Sequence, residues 1–319
     1  MLSSSSNSDR VSELVSSQAI VFVNAQSGRS LSHNLVPGIE RVFRSYGLAA
    51  EIRETPSSAE LESQARQAIL RGAHLFFAVG GDGTLQGLVN AAFGYDVVLG
   101  VIPVGGGNDF ARALGLPREP LSALSAALSG ERRSVDLARV CTADGAERLY
   151  LGGGGVGLDA ESAKYARTRY RNWPGRSRYV ASALRGFSVY RSRRLRITLE
   201  NSEEEQPWRK FVLASVLNTP TFGAGIQLTP SARIDDGLLD FAFLEELRFW
   251  QLLRTLPSLA ARGILRLPHL RITQIRKLRL ETELPAFFQG DGEILGPTPV
   301  EIEVVPNAVR FLAPKLASS

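Results

Sequence analysis

The first part of the chain alternates continuous apolar runs with amphipathic stretches. The runs at 19–23 and 75–79 have the length and uniform hydrophobicity of strands that are buried on both faces. The stretches between such runs repeat apolar residues every three or four positions, as on one face of a helix. This order predicts strands at 19–23, 49–55, 74–79 and 97–102 and helices at 31–46, 57–71, 85–92 and 108–114. Alternating strands and helices indicate a parallel sheet with crossover helices.

The pattern changes beyond residue 130, where strand-like stretches dominate. Alternation of apolar and polar positions, as in 195–199 and 301–305, is typical of strands with one exposed face. The predicted strands are 135–140, 148–153, 195–200, 210–218, 238–244, 270–275, 277–283 and 300–305, with helices near 158–170, 177–190 and 249–262.

These patterns predict an α/β protein with two domains. We expect a polar, disordered tail at 1–17, a parallel α/β domain at 18–133, and a β-rich antiparallel domain at 134–312. A return of the C-terminal segment to the first domain is left open. The cleft between two such domains is the natural place for an active site.

Composition narrows the class of protein. The chain has 319 residues, of which 44% are hydrophobic and 22% charged, and these values are ordinary for a globular protein. One cysteine excludes an internal disulfide, and three scattered histidines give no zinc-type cluster. No apolar run is long enough to cross a bilayer, and the first residues lack the apolar centre of a secretory signal. The net charge of +5 favours an anionic partner.

Two glycine-rich segments directly follow predicted strands. Gly80-Gly81-Asp82-Gly83-Thr84 comes after the apolar run at 75–79, and residues 103–110 contain a second such loop after the strand at 97–102. Glycine lets backbone N–H groups approach a phosphate closely, and ligands of parallel α/β sheets bind at the carboxyl ends of the strands. Asp82 would repel phosphate, so a cation or a hydrogen-bonded nucleotide group is expected beside it. The two loops together predict a nucleotide site.

Common nucleotide-binding and kinase motifs do not account for these loops. The chain has no Gly-x-x-x-x-Gly-Lys-[Ser/Thr] segment and no protein-kinase motif set. The first loop also fails the Gly-x-Gly-x-x-Gly pattern. Residues 153–157 imitate that pattern, but we interpret these glycines as a tight strand-to-helix turn.

Several blocks together resemble the diacylglycerol kinase catalytic family of soluble lipid kinases, which includes sphingosine and ceramide kinases. The resemblance runs from about residue 19 to residue 312. It is carried by Gly80–Thr84, residues 107–112 (Gly-Asn-Asp-Phe-Ala-Arg), residues 155–160 (Gly-Val-Gly-Leu-Asp-Ala), Asn218 with Gly223 and Gly225, residues 230–240, and Asp291-Gly292-Glu293.

The resemblance implies which residues bind ATP. Gly80, Gly81, Asp82, Gly83, Thr84, Leu85 and Gln86 would bind the phosphates. Asn24 and Thr55, at the ends of the first two strands, would lie beside the nucleotide, and the second loop would contribute Gly106, Asn108 and Asp109.

The resemblance also implies the chemistry. Glu293 would accept the proton of a lipid hydroxyl as the γ-phosphoryl group leaves ATP, in keeping with the need of phosphoryl transfer for a base and for charge neutralisation. Asp82, Asp109 and Asp291 are candidates to hold catalytic Mg²⁺. A second, structural Mg²⁺ would lie at Arg233, Asp236 and Leu238, where Arg233 and Leu238 could offer only backbone carbonyls.

Three departures from the family pattern bear on nucleotide binding. Ala25 replaces the usual proline after the first asparagine, Gln86-Gly87 replaces Asn-Glu, and Gly106 replaces threonine. Two alternatives therefore stay open beside a lipid kinase: a kinase of a soluble substrate, as in the NAD kinases, and a catalytically silent regulator that binds lipid or nucleotide.

Some residues also have simple structural interpretations. Asp-Gly is a strong turn signal, so Asp291-Gly292 and Asp236-Gly237 could be ordinary turns. Asp136 and Asp159 could make structural hydrogen bonds or support the site.

The basic residues at 162–199 and 247–280 are not interrupted by acidic ones. They favour docking on an anionic membrane over a merely solvated face, and no nucleic-acid-binding module accompanies them. We expect a cytoplasmic protein, peripheral on the inner face of the membrane, and leave a homodimer open.

Overall fold

The computed structural model describes most of the chain. The described residues are 18–24, 31–170, 173, 175–190, 193–200, 207–245, 247–248, 250–251, 253–255, 257, 267 and 269–315. The predicted tail at 1–17, Ala25 and most of the predicted helix at 249–262 lie outside them, as do Arg171, Arg191, Phe249, Arg262 and Arg266 of the basic runs.

The helices and strands follow one another through these residues. The strands are β1 (Ala19–Asn24), β2 (Ala50–Thr55), β3 (Leu75–Gly80), β4 (Val98–Pro103), β5 (Glu131–Thr142), β6 (Glu147–Tyr150), β7 (Gly153–Gly157), β8 (Arg193–Leu199), β9 (Arg209–Phe211), β10 (Leu213–Leu217), β11 (Thr221–Phe222), β12 (Ile226–Gln227), β13 (Leu239–Leu244), β14 (Arg271–Ile275), β15 (Lys277–Thr282), β16 (Phe287–Gly290), β17 (Glu293–Pro297) and β18 (Val300–Ala313). The helices are α1 (Leu31–Ser45), α2 (Ser58–Leu70), α3 (Asp82–Ala92), α4 (Asp109–Ala113), α5 (Pro120–Leu128), α6 (Leu158–Arg167) and α7 (Gly175–Val189).

The chain divides into two compact units that are not contiguous in sequence. The first contains the residues up to Gly105, Leu114–Ser134, and the C-terminal residues from Val309. The second contains Gly106–Ala113 and Val135–Ala308. The boundary near residue 134 lies beside the expected one. Residues 106–110 of the second glycine loop, which we expected in the first domain, group with the second unit, where Asp109 is hydrogen-bonded to the β11–β12 turn.

The first unit is built on a parallel sheet in the order β2-β1-β3-β4, as the alternation of strands and helices predicts. Its strands are buried along their whole length except for β2, which lies at the edge. Phe43 of α1 packs edge-on against Phe77, with ring centroids 5.0 Å apart. Gly100 gives that ring its space, because a Cβ there would collide with the ring of Phe77.

The parallel register brings the carboxyl ends of the strands to one edge. Asn24, the last residue of β1, pairs with Thr55, the last residue of β2. Gly80, the last residue of β3, pairs with Pro103, the last residue of β4. The first glycine loop therefore begins at the same sheet edge as Asn24 and Thr55.

The end of the chain adds a strand to this sheet. Arg310 and Phe311 of β18 pair in parallel with Val98 and Leu99 of β4. Phe311 is fully buried. Gly130 allows this return, because a Cβ there would collide with the carbonyl of Ala313.

The second unit is rich in antiparallel strands, as predicted. One sheet runs in the order β14-β13-β10-β7-β16-β17. Strand β15 pairs antiparallel with β8 and with residues 300–303 of β18. Aromatic and aliphatic side chains from these strands and from β5, β6 and β9 form one core cluster, which includes Tyr150, Phe211 and Phe288.

Residues 153–157 are a strand, and our interpretation of them as a turn was wrong except at their end. β7 pairs with β10 on one side and β16 on the other, and only Gly157, at φ +93°, caps the helix α6. Neighbouring groups fill the space where side chains would stand, since a Cβ at Gly154 would lie 2.6 Å from the carbonyl oxygen of Gln289. A strand with four glycines among its five residues gives almost no hydrophobic signal, which explains the error.

The sequence patterns missed other elements as well. The helix α5 and the hairpin β16–β17 were not predicted, and α3 begins at Asp82, three residues earlier than expected. Within the described residues, no helix combines the length and the hydrophobicity needed to span a membrane.

Candidate active site

The first glycine loop is a direct strand-to-helix junction. β3 ends at Gly80, Gly81 is extended at φ −101° and caps α3, and the helix begins at Asp82. The backbone N–H groups of Thr84 and Leu85 donate to the carbonyl of Gly81, at 3.0 and 3.1 Å. The first turn of a helix presents its N–H groups and the positive end of its dipole to the space ahead of it, which is an arrangement that binds phosphate.

The side chains of Asn24 and Thr84 are hydrogen-bonded to each other at this junction. The Asn24 side-chain amide donates to the Thr84 hydroxyl at 3.0 Å, and both residues are buried. A Cβ at Gly80 would lie 2.5 Å from the Thr84 hydroxyl oxygen. Gly80 is therefore needed for the packing of Thr84, independently of any contact with a ligand.

Thr55 has a buried hydroxyl with an unused hydrogen-bonding capacity. The residue has no exposed surface, and its Oγ1 atom has no hydrogen-bond partner among the described residues. Leaving a buried hydroxyl unpaired costs about 1–3 kcal/mol. Because Thr55 pairs in register with Asn24 at the carboxyl edge of the sheet, this atom stands where a nucleotide is expected.

The departure at Gly87 has a packing reason. A Cβ at Gly87 would lie 2.8 Å from the carbonyl oxygen of Ser58, in the first turn of α2. The Ser58 hydroxyl donates to the carbonyl of Gly83 at 3.1 Å. Gln86 is buried. The close approach of α2 to α3 leaves no room for the glutamate that the family pattern has at position 87.

Asp109 in the second unit is engaged by the turn between β11 and β12. Its carboxylate accepts hydrogen bonds from the backbone N–H groups of Ala224 and Gly225, at 2.9 and 2.7 Å, and from the Thr221 hydroxyl at 2.7 Å. Arg112 pairs with it at 2.6 Å. These four groups hold the Asp109 carboxylate in place, so Mg²⁺ would have to compete with them for its oxygen atoms.

Gly106 and Asn108 belong to the second glycine loop, just before Asp109. Asn108 has a positive φ of 54°, which asparagine tolerates better than most residues. Nothing lies within 4 Å of a Cβ built on Gly106. The family's threonine would therefore fit at position 106.

Asp291 and Gly292 form the two-residue turn of the β16–β17 hairpin. Both have positive φ values, 50° and 84°, as a type I′ turn requires. The Asp291 carboxylate accepts from the backbone N–H groups of Leu151 and Gly152, each at 2.8 Å, and of Gly153 at 3.3 Å. Glu293 is the first residue of β17 and pairs with Gly290. The turn interpretation of Asp291-Gly292 is therefore confirmed, and the turn places Glu293 beside it.

A buried polar cluster lies behind this turn. The Gly292 N–H donates to the side-chain oxygen of Gln289, and the Gln289 amide donates to Asp159. Ser215 donates to the other oxygen of Asp159. Burial raises the pKa of the Asp159 carboxyl to about 6, although the hydrogen bonds from Ser215 and Gln289 act in the opposite direction. The sequence patterns missed Gln289 and Ser215, because single polar residues inside strands carry no motif.

The predicted structural metal site is a loop fixed by Asp136. The carboxylate of Asp136 accepts from the N–H of Gly237 at 2.7 Å and from the N–H of Asn307 at 2.8 Å. Asp236 is exposed and accepts from the N–H of Leu238 at 3.1 Å, while Arg233 pairs with Asp235. One carboxylate with backbone carbonyls is a donor set suited to Mg²⁺ or Ca²⁺. The described residues contain no cluster of three or more acidic, histidine or cysteine side chains that could hold a metal.

The predicted site residues thus fall into separate local groups. In the first unit the structure brings together Asn24, Thr55 and Gly80–Gln86. In the second unit it brings Gly106–Asp109 to the β11–β12 turn, Asp291–Glu293 to the β16–β17 turn, and Arg233–Leu238 to Asp136.

Two family models match successive parts of the chain. Residues 18–140 match the diacylglycerol kinase catalytic domain, and residues 154–313 match the YegS C-terminal domain, described as NAD kinase beta sandwich-like. A diacylglycerol kinase of Mycobacterium tuberculosis is 32% identical over 78% of this chain and 79% of its own length. A probable YegS-like lipid kinase of Stenotrophomonas maltophilia is 30% identical over 90% of this chain and 94% of its own.

A solved structure shows the same fold. The crystal structure of a putative diacylglycerol kinase from Bacillus anthracis superposes with a TM-score of 0.74 at 20% identity, over 93% of this chain and 97% of that one. The family matches and the identity to the Mycobacterium tuberculosis kinase indicate one family, and the fold is the one that the solved structure has. The chain belongs to the diacylglycerol kinase catalytic-domain family and is a lipid kinase.

Proposed function

We propose that this protein transfers the γ-phosphoryl group of ATP to the hydroxyl of a membrane lipid, most simply converting diacylglycerol to phosphatidic acid. The observation that carries the proposal is the junction at Gly80–Thr84, a strand-to-helix phosphate site whose sheet edge also holds the unpaired Thr55 hydroxyl. An ATP ribose or phosphate oxygen would give that hydroxyl its missing partner.

The nucleotide residues have distinct tasks in this proposal. The first N–H groups of α3 bind phosphate oxygens, and Asn24 fixes Thr84 behind them. Asp82, in the first turn of α3, would hold Mg²⁺, which supplies charge neutralisation at the phosphates when bound. Asp109 and Asp291 already accept hydrogen bonds from their own turns, so we assign them contact with the ion only through water.

Glu293 is the proposed general base. The hairpin turn fixes its backbone, since the Asp291 carboxylate ties that turn to the N–H groups of residues 151–153. A carboxylate within hydrogen-bond reach of the acceptor hydroxyl takes its proton as the oxygen attacks phosphorus, and such assistance typically contributes 10²–10⁴-fold in rate.

Lipid phosphorylation can be measured directly. Purified protein is incubated with radiolabelled ATP and mixed micelles containing diacylglycerol, ceramide or sphingosine, and in parallel with NAD as a soluble acceptor. We expect labelled phosphatidic acid. Measurable ATP binding without transfer to any lipid would refute the proposal, and transfer to NAD alone would show a kinase of a soluble substrate.

The role of Glu293 has a matched control. Glu293→Gln should lower kcat by about 10²–10⁴-fold while ATP affinity stays unchanged. Glu283→Gln removes a carboxylate that pairs with Arg194 in the same unit and should leave kcat unaffected. A Glu293→Gln variant with wild-type kcat would contradict the assignment.

We further propose that the second unit docks on an anionic membrane. Trp250, Leu253 and Arg254 are exposed and helical at spacings that share one helix face. The Arg254 guanidinium lies over the Trp250 ring, 4.7 Å from its centroid. An aromatic ring with an adjacent cation is suited to the interface between lipid headgroups and acyl chains.

Part of the expected basic surface does not support this docking. Arg194, Arg196, Lys277 and Arg279 form ion pairs with glutamates on neighbouring strands or loops, at Glu281, Glu283 and Glu301. Their positive charge is therefore largely balanced within the unit. The docking proposal rests on the group at 250–254.

Sedimentation with vesicles tests the docking. A basic residue near an anionic surface contributes about 1 kcal/mol, so Arg254→Glu should weaken binding to phosphatidylglycerol vesicles by at least about fivefold. The matched reversal Lys277→Glu, at a residue paired with Glu301, should have a smaller effect. Equal losses for both variants would show a non-specific dependence on net charge and would overturn the assignment.

A further inference from the structure

The turn that carries Glu293 has a second support besides Asp291. The N–H of Gly292 donates to the side-chain oxygen of Gln289 at 3.0 Å. The amide nitrogen of Gln289 donates to one oxygen of Asp159 at 2.9 Å, and the hydroxyl of Ser215 donates to the other at 2.7 Å. Gln289 and Ser215 are almost completely buried, as is Asp159. The hydrogen bonds therefore run unbroken from α6 and β10 to the turn.

The fold makes room for this chain of hydrogen bonds. Gly155 lies in β7, between Ser215 on β10 and Gln289 on β16, and pairs in register with both. A Cβ at Gly155 would collide with the Asp159 carboxylate and would lie 2.8 Å from the Ser215 hydroxyl oxygen. One glycine of the β7 run is thus explained by the space that Asp159 occupies.

Asp159 decides which way the Gln289 amide points. An ionised carboxylate only accepts hydrogen bonds, so the NH₂ end of the amide must face it. The carbonyl end is then left for the N–H of Gly292. A reversed amide would place its NH₂ group against that N–H and its oxygen against the carboxylate, which would lose both hydrogen bonds.

This arrangement costs stability and so requires a reason. Burial raises the pKa of Asp159 to about 6, which means that the folded protein disfavours the ionised form. An apolar side chain of similar size would avoid that cost. Buried groups with perturbed pKa values cluster at functional sites, and this one connects to the turn that carries the proposed base.

We propose that Gln289 is a positioning residue for Glu293, held in a single amide orientation by Asp159 and Ser215. The proposal rests on the assignment of Glu293 as the base. Gln289 itself touches neither substrate nor nucleotide. It fixes the N–H of Gly292, the residue before Glu293, and so limits the orientations of the Glu293 carboxylate.

Kinetics of three variants test the orientation. Gln289→Met keeps the volume and removes both hydrogen bonds, and we expect kcat to fall by about 10–100-fold with unchanged KM for ATP and lipid, because small displacements of a catalytic group cost up to about 10²-fold. Asp159→Leu should give the same loss. Asp159→Asn should retain most of kcat, since its amide oxygen can accept from Gln289 and its NH₂ group can donate to the Ser215 hydroxyl.

The double variant separates positioning from general destabilisation. If Asp159 acts through Gln289, then Asp159→Leu combined with Gln289→Met loses no more kcat than either single change. Multiplied losses, wild-type kcat in Gln289→Met, or a loss in Asp159→Asn as large as that in Asp159→Leu would each overturn the proposal.

Amide hydrogen exchange tests the anchoring without any activity measurement. In the full-length protein, Gln289→Met should speed exchange at residues 291–293, while a peptide covering α2 should exchange at the wild-type rate. Unchanged exchange at 291–293 would overturn the anchoring. A wild-type protein that phosphorylates no lipid would instead refute the proposed function, so the two failures are distinguishable.

Discussion

At the residue scale, the hydroxyl of Thr55 is the atom that bears most directly on the proposed nucleotide site. Its hydroxyl is buried and has no hydrogen-bond partner among the described residues, whereas the Thr84 hydroxyl, also buried, accepts from Asn24. Folded proteins rarely leave a buried polar atom unpaired, so such an atom usually marks the position of a ligand or a water molecule. Thr55 and Thr84 can therefore be compared directly, because both hydroxyls are buried and only that of Thr84 has a hydrogen-bond partner among the described residues.

Thr55→Val should stabilise the protein without nucleotide and weaken ATP binding. The substitution keeps the shape and removes the unpaired hydroxyl, so the free energy of unfolding should rise by about 1 kcal/mol. Loss of one hydrogen bond to ATP should lower affinity by about tenfold, measured by calorimetry. Thr84→Val should lower stability instead, because it breaks the bond to Asn24. Unchanged ATP affinity in Thr55→Val would remove Thr55 from the nucleotide site.

Asp159 should make stability depend on pH. Its pKa rises from an ordinary value of 3.8 to about 6 on folding, so the folded state holds the proton more tightly than the unfolded state. Its contribution to stability is therefore greatest below pH 4 and is lost as the pH rises to about 6. The cost of the ionised form at pH 7 is about 3 kcal/mol.

Asp159→Asn should remove this dependence. The difference in unfolding free energy between the variant and the wild type should become more favourable to the variant by about 2 kcal/mol between pH 4 and pH 7. Urea denaturation at several pH values measures it, and the other titrating groups cancel in the difference. A difference that does not change with pH would show that the carboxyl titrates normally.

At the scale of elements, packing between helices explains a departure from the family pattern. Gly87 in α3 faces the backbone of Ser58 in α2, and the Ser58 hydroxyl bonds to the carbonyl of Gly83. Gly106, the other departure near the nucleotide loops, faces open space. Both departures are visible in the sequence, but only the structure shows that packing requires glycine at position 87 and not at position 106.

Restoring the family residue should therefore lower stability at position 87 and leave it almost unchanged at position 106. Gly87→Glu should lower the free energy of unfolding by about 1–3 kcal/mol, because a side chain there forces α2 away from α3. Gly106→Thr should change stability by less than about 0.5 kcal/mol. Thermal unfolding measures both. A Gly87→Glu variant as stable as the wild type would show that the helices move apart freely.

At the scale of the whole molecule, features that depend on local sequence patterns could be predicted, whereas contacts between distant residues could not. The strand–helix alternation and the glycine loops predicted the parallel sheet and the strand-to-helix junction at Gly80–Asp82, because both depend on neighbours in sequence. The β7 strand, the α5 helix and the Asp159–Gln289 contact were missed. The β7 strand and the Asp159–Gln289 contact depend on residues far apart in sequence, and a single chain carries no record of such pairs. The α5 helix is encoded locally, by Pro120 in its first turn and by Glu119, whose side chain accepts from the N–H groups of Leu121 and Ser122, so here a local signal was overlooked.

The return of β18 to the first unit makes that unit depend on the end of the chain. Phe311 is fully buried and pairs with Leu99, although more than two hundred residues separate them in sequence. Phe311→Ala should lower the free energy of unfolding by about 3–5 kcal/mol, since it leaves a cavity beside β4. Leu284→Ala, at a residue that is 61% exposed in the second unit, should cost less than about 0.5 kcal/mol.

Hydrogen exchange locates the effect of Phe311→Ala. Because β18 covers the free edge of β4, amides in β3 and β4 should lose protection first, and ATP affinity should fall with them, while residues 213–217 of β10 keep theirs. Loss of protection spread equally over both units would mean that they unfold as one cooperative body. Loss confined to β3 and β4 would show that β18 stabilises the parallel sheet at its first glycine loop.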